Sequence, residues 1–102
     1  MKNFVGLNGK IYADEDGVTL IRESKIDGVF HELGTVRIPI SEIAKVIYSE
    51  GGLTNGYIAF LRKGDRRPLS VFSALKNDNT VIFRFTKNES AQQMAEYVKS
   101  LI

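Results

Sequence analysis

The chain has 102 residues, 43% hydrophobic and 25% charged, a size and balance that predict one folded domain and argue against disorder. It has no cysteine, which excludes a disulfide framework, a thiolate zinc site and a cysteine nucleophile, and fits a reducing cytoplasm. Its formal net charge of +2 comes from interleaved acids and bases, not from the clustered cations that nucleic-acid binding requires.

Met1 to Lys10 offers only Phe4, Val5 and Leu7 as apolar groups. A secretory signal needs roughly 7–15 consecutive apolar residues, so none is expected and the protein is expected in the cytoplasm. No apolar run approaches the roughly 18–20 residues of a membrane-spanning helix. Strand-like segments follow, punctuated by turns. Lys10–Ala13 and Val18–Glu23 flank Asp14-Glu15-Asp16-Gly17, a turn in which glycine supplies the backbone freedom, and together predict a hairpin. Asp27-Gly28, within Lys25–Glu32, marks a second turn. Thr35–Ile40 alternates cleanly, with Val36, Ile38 and Ile40 on one face. Pro39 has no N–H to donate to a ladder, so this strand is predicted to lie at an edge or to end there.

Ser41–Ala44 reads as one helical turn or a bend, and Lys45–Ser49 as a strand. The glycine-rich segment Gly51–Gly56 separates it from a strand over Tyr57–Arg62. Lys63–Arg67 is a polar turn, Leu69–Phe72 a short strand and Asn77-Asp78-Asn79 a further turn. Thr80–Phe85 is the last strand, with Val81, Phe83 and Phe85 sharing a face. About seven short strands at roughly ten-residue spacing favour a barrel or a sandwich. The period then changes: Ala91, Met94, Ala95, Val98, Leu101 and Ile102 recur at three- and four-residue steps, predicting one amphipathic helix over about 87–101. Thr86 and Glu89 have capping-box spacing at its start. Such a helix, about 22 Å long at 1.5 Å per residue, is marginal alone and must pack on the sheet or a partner.

Three segments carry a resemblance: Phe4-Val5-Gly6-Leu7-Asn8-Gly9-Lys10-Ile11-Tyr12, Gly52-Leu53-Thr54-Asn55-Gly56-Tyr57-Ile58-Ala59-Phe60 and Asn79-Thr80-Val81-Ile82-Phe83. With the order of elements, they make the chain resemble a family of small bacterial proteins of unknown function with a pleckstrin-homology-like fold. Members are found alone or joined to a short C-terminal oligomerisation helix, as in the so-called SHOCT proteins. The resemblance implies a mainly β fold with one C-terminal α-helix: a curled barrel of about seven antiparallel strands, capped by the helix, with strands within 4–85 of a single domain over 1–102. Pleckstrin-homology domains that bind phosphoinositides place basic residues in and beside the first hairpin loop. The matching loop here, Asp14-Glu15-Asp16-Gly17, is acidic and repels a phosphorylated headgroup.

The chemistry-bearing residues point to binding more than to catalysis. Asp14, Glu15 and Asp16 lack the alternating ligand spacing and distal glutamate of a calcium loop and read as a solvated hairpin tip. Gly51–Gly56 lacks the lysine-serine/threonine ending of a phosphate loop and leads into a strand, so it reads as a turn. Arg62, Lys63, Arg66 and Arg67 form the one dense basic group and, with Lys45 or Lys76, are the candidate anion-binding residues. No aromatic residue is interleaved there to stack on bases. His31 is the single histidine, and Ser41, Ser49, Ser70 and Ser73 lack a nucleophile-elbow context. Asn88-Glu89-Ser90 matches a glycosylation triplet that is not expected to be used without a signal peptide.

The strands Val46-Ile47-Tyr48 and Tyr57-Ile58-Ala59-Phe60-Leu61 are apolar on both faces. A barrel turns one face inward, so the other must meet the helix, another sheet or a second copy. Val46, Tyr48, Tyr57, Ala59 and Leu61 are therefore the candidate interface residues. The expectation is a non-catalytic binding or assembly module without cofactor or metal. Its partner is expected to be protein, a second copy of itself included, with an anionic membrane surface as the alternative and no nucleic acid.

Overall fold

The computed structural model describes residues 2–26, 29–66 and 78–102, with the backbone alone for 24–26 and 29–33. Strands β1 (Lys2–Val5), β2 (Gly9–Ala13), β3 (Gly17–Ile26) and β4 (Val29–Pro39) form an antiparallel meander, hydrogen-bonded in that order. Period-two alternation builds it. Ile11, Ala13, Val18 and Leu20 are fully buried, while Tyr12 and Thr19 between them are only partly so. The residue pattern by itself marks no strand over 2–5, because Phe4 is its one buried residue and a single inward side chain leaves no alternation to read. β4 does lie at the edge of this sheet and does end at Pro39. Between Arg22 and Glu23 the β3–β4 register shifts, and Gly34 opposite has a φ of 139°, a backbone that favours glycine.

A 3-10 turn over Ile40–Glu42, close to the predicted helical turn, leads into the second sheet. That sheet has the order β5 (Ile43–Ser49), β6 (Gly56–Arg62), β7 (Thr80–Phe83), all antiparallel. β6 is buried at every position from Gly56 to Leu61 because both its faces are covered. Ile58 and Phe60 join the main core, and Tyr57, Ala59 and Leu61 join a second cluster with Ile47 and Ile82. The predicted strand Leu69–Phe72 lies outside the described residues.

The last strand is shorter than predicted. It stops at Phe83, and Phe85 falls in a 3-10 turn over Phe85–Lys87 with its side chain 62% exposed. The helix α1 (Asn88–Lys99) follows and buries Ala91, Met94, Ala95 and Val98 against β5, β1 and β6. Leu101 and Ile102, predicted on the same stripe, lie beyond its end and are not buried. The predicted capping box does not form. The preceding 3-10 turn makes Lys87 the N-cap, with no side-chain cap hydrogen bond, and leaves Thr86 outside the helix.

The expected closed barrel is instead two sheets of four and three strands, with no strand pairing that closes a ring among the described residues. Pro39 ends β4 without an N–H, and the turn after it carries the chain into a separate sheet. The sheets meet at the β1–β2 turn. Leu7 N–H donates to the Ile82 carbonyl at 2.8 Å, and Ile82 N–H donates to Asn8 Oδ1 at 2.9 Å. Asn8 also accepts Glu23 N–H on its own carbonyl at 2.9 Å, so one residue ties β3, the first turn and β7 together. Gly6 has no room for a Cβ, which would collide with the Ile82 carbonyl and Val81 Cγ1. Asn8→Ala orphans the Ile82 N–H and should lower unfolding free energy by about 1–3 kcal/mol in urea titration. Asn8→Asp keeps the accepting oxygen and should restore most of that loss; equal loss in both variants would contradict the assignment.

Candidate functional site

The basic turn is organised internally. Arg62 ends β6, and Lys63-Gly64 turns the chain, with Gly64 at a φ of 93°. Asp65 Oδ2 accepts from Arg62 Nε at 2.9 Å, from Arg62 N–H at 2.9 Å and from Asn79 Nδ2 at 3.1 Å. Asp78 takes the other side of the guanidinium, with Oδ1 2.7 Å from Arg62 Nη2. The backbone N–H of Arg62, then its guanidinium, hold the Asp65 carboxyl below the usual carboxylate range. Asp65 and then Asp78 push the Arg62 guanidinium the other way, upward. Arg62 therefore has two carboxylates where an outside phosphate would bind. Lys63 and Arg66 are exposed, whereas Arg67 and Lys76 lie outside the described residues. The hollow beside the turn, about 670 Å³ and open, includes Glu42 in its lining with Arg62 and Lys63. Of the candidate cations among the described residues, Arg62 is thus engaged, while Lys63 and Arg66 face solvent.

The acidic β2–β3 turn is likewise self-contained. Asp14 Oδ1 accepts from the N–H groups of Asp16 at 2.9 Å and Gly17 at 3.0 Å, and Arg37 Nη2 approaches it to 3.3 Å. Those two backbone donors, with Arg37 behind them, lower the Asp14 pKa. Gly51–Gly56 is also locked to the fold, because the Asn88 side chain clamps the backbone of one residue in it. Asn88 Oδ1 accepts Gly51 N–H at 2.8 Å, and its Nδ2 donates to the Gly51 carbonyl at 2.9 Å. Tyr48 Oη donates to the Asn88 carbonyl at 3.2 Å, and burial, then Glu50, pushes its pKa up, so it stays a donor.

The five candidate interface residues are divided between two places. Val46 is buried in the main core and Tyr48 packs against that core, its ring stacked 6.0 Å from Phe83. Tyr57, Ala59 and Leu61 lie in the second cluster, each at most 7% exposed in the single chain. The second apolar face is therefore already covered and does not call for another copy. The His31 side chain lies outside the described residues. Among the described residues no group of three His, Cys, Asp or Glu side chains is placed to hold a metal ion, and no helix is long and apolar enough to cross a membrane.

Among the described residues, four of the five large apolar residues that face solvent gather at one end; the fifth, Ile102, lies past the end of α1. Val5 (52% exposed) and Leu7 (42%) flank the β1–β2 turn, Leu53 (108%) tips the β5–β6 loop, and Phe85 follows β7. These turns adjoin. The Leu7–Ile82 hydrogen bond joins the first to β7, and a Cβ on Gly51 would sit 3.0 Å from Phe85 Cα. Val5, Leu7 and Phe83 line a cavity of about 170 Å³ with Arg84 and Lys87. Strand and helix patterning misses this surface: it places Phe85 on one stripe with Val81 and Phe83, and Val5, Leu7 and Leu53 belong to no buried stripe. The available signal is the turn context itself: Leu7 in Gly-Leu-Asn-Gly and Leu53 in Gly-Gly-Leu-Thr are large apolar residues where the chain has no interior to face.

Asp14 and Asp65 share one consequence. A carboxylate whose folded pKa is depressed contributes stability above its unfolded pKa of about 4, and that contribution is lost as pH falls through the folded value. The urea midpoint should therefore hold down to about pH 4 and drop below it, and Asp14→Asn with Asp65→Asn should flatten the drop.

No curated protein and no solved structure matches the chain. A family model, described as a domain of unknown function (DUF4429), matches residues 11–101, which run from the middle of β2 to just past the end of α1. With nine-tenths of its length covered by that model, the chain belongs to the DUF4429 family.

Proposed function

We propose that this protein is a non-catalytic, cofactor-free binding and assembly module that engages protein through its turn-bearing end. The observation that carries this reading is the gathering of Val5, Leu7, Leu53 and Phe85, all exposed, on three adjoining turns. Solvent-facing apolar groups of this size, concentrated at one end of a small domain, favour burial against a partner. The fold we assign to the module is pleckstrin-homology-like. A four-stranded meander, a three-stranded meander and then one C-terminal helix support it. The headgroup-binding alternative through the basic turn is the weaker reading, since Arg62 is engaged by Asp65 and Asp78.

Leu7→Ser with Phe85→Ser tests the reading, because exposed substitutions of this kind change stability by only about 0.5 kcal/mol. The double variant should keep the thermal midpoint of the parent. It should lose either the parent's concentration-dependent rise in sedimentation mass or the partner proteins the parent retains on a column. Identical masses and identical retained proteins for parent and variant would refute the reading.

A further inference from the structure

The cavity at the turn-bearing end has a lining that narrows the partner. Its apolar walls are Val5, Leu7 and Phe83, and its charged residues are Arg84 and Lys87. Both cations are exposed, and neither makes an ion pair among the described residues. Arg37 and Arg62, by contrast, are each held by a carboxylate. Glu89, the nearest acid along the chain, does not line the cavity. At about 170 Å³ and open to solvent, the cavity matches one large apolar side chain, since an apolar cavity of about 150 Å³ holds benzene.

Resting on the protein-binding reading above, we infer that this end docks an acidic peptide segment that anchors one phenylalanine or leucine in the cavity and sets its carboxylates against Arg84 and Lys87. A second copy fits less well. A two-fold contact presents the same patch from both sides, so Arg84 and Lys87 would face their own equivalents. The patch is also a set of turns around one small cavity, whereas a stable dimer covers about 800 Å² per partner. An anionic membrane fits less well too, because two cations strengthen binding to such a surface by only roughly 30-fold.

The test is titration of the isotope-labelled chain, followed by backbone amide NMR, with a short peptide carrying one phenylalanine flanked by glutamates. Three controls accompany it: the peptide with lysines for glutamates, the peptide with serine for phenylalanine, and phosphatidylcholine vesicles with and without phosphatidylserine. The expected result is shifts confined to residues 5–7, 51–54 and 84–87, saturable binding by the acidic peptide, and weakening with salt. The serine peptide, Arg84→Gln with Lys87→Gln, and Arg84→Glu with Lys87→Glu should each lower affinity by about tenfold or more. Equal binding of the lysine peptide, shifts centred on residues 63–66, vesicle binding without peptide binding, or no shift at all would each overturn the inference. Partner retention that is lost in Leu7→Ser with Phe85→Ser but survives Arg84→Glu with Lys87→Glu would overturn the inference alone and leave the protein-binding reading standing.

Discussion

The contact on which the rest of the molecule depends is between the first turn and the last strand. Asn8 Oδ1 and Leu7 N–H pair with the two sides of the Ile82 peptide, across 74 residues of sequence. Without that joint the two sheets share a chain but no backbone hydrogen bond at this corner, and β7 has an open edge where Ile82 now has partners. The joint also explains why Gly6 carries no side chain, since the backbones approach too closely for a Cβ. It brings the β1–β2 hairpin beside β7 and so lets α1, which starts five residues after β7 ends and follows a 3-10 turn, cross back over β1 and β5. A sequence separation this long makes the contact late and entropically costly to form, so it is expected to report completed folding more than to initiate it.

A second asparagine repeats the device just past the end of β7. Asn88 grips the Gly51 backbone by both its N–H and its carbonyl while Tyr48 binds the Asn88 backbone. The start of the helix is thereby fixed to the β5–β6 loop by an amide side chain, with no N-cap hydrogen bond. The charged groups follow the same inward habit. Asp14 with Arg37 and Asp65 with Arg62 satisfy local backbone and one another, whereas at the turn-bearing end Arg84 and Lys87 face outward beside exposed apolar groups.

Much of this fold is legible in the sequence, wherever one physical pattern dominates a segment. The alternation of Val36 and Ile38, the stop at Pro39 and the three- and four-residue recurrence from Ala91 to Val98 each translate into the element they suggest, although Ile40 falls in the 3-10 turn past the strand. What escapes is whatever depends on a distant partner. β1 has one inward residue and exists because β2 and the core receive Phe4. Thr86 and Glu89 have the spacing of a capping box, but the winding of Phe85–Lys87 moves the helix start past the threonine. Arg62 reads as a free cation only while Asp78, sixteen residues away, is unseen. The doubly apolar strands are read correctly as needing cover on both faces. That the single chain covers Tyr57, Ala59 and Leu61 itself is a tertiary fact that no local pattern carries.

β6 itself has a consequence for how the chain finds its alignment. In a strand with one wet face, sliding by a single residue throws the apolar set into solvent, and that penalty enforces the pairing. β6 is buried from Gly56 to Leu61 on both sides, so a one-residue slip exchanges one apolar face for another at little cost in burial. Its alignment must be policed by steric and polar markers. Gly56 fits only because a side chain there would strike the Ser49 carbonyl and the Gly51 nitrogen, and the Phe60 N–H finds the Asn79 carbonyl at 3.0 Å. The strand that contributes most to the interior is therefore also the one most exposed to misthreading, and a glycine and an asparagine guard it where hydrophobicity cannot.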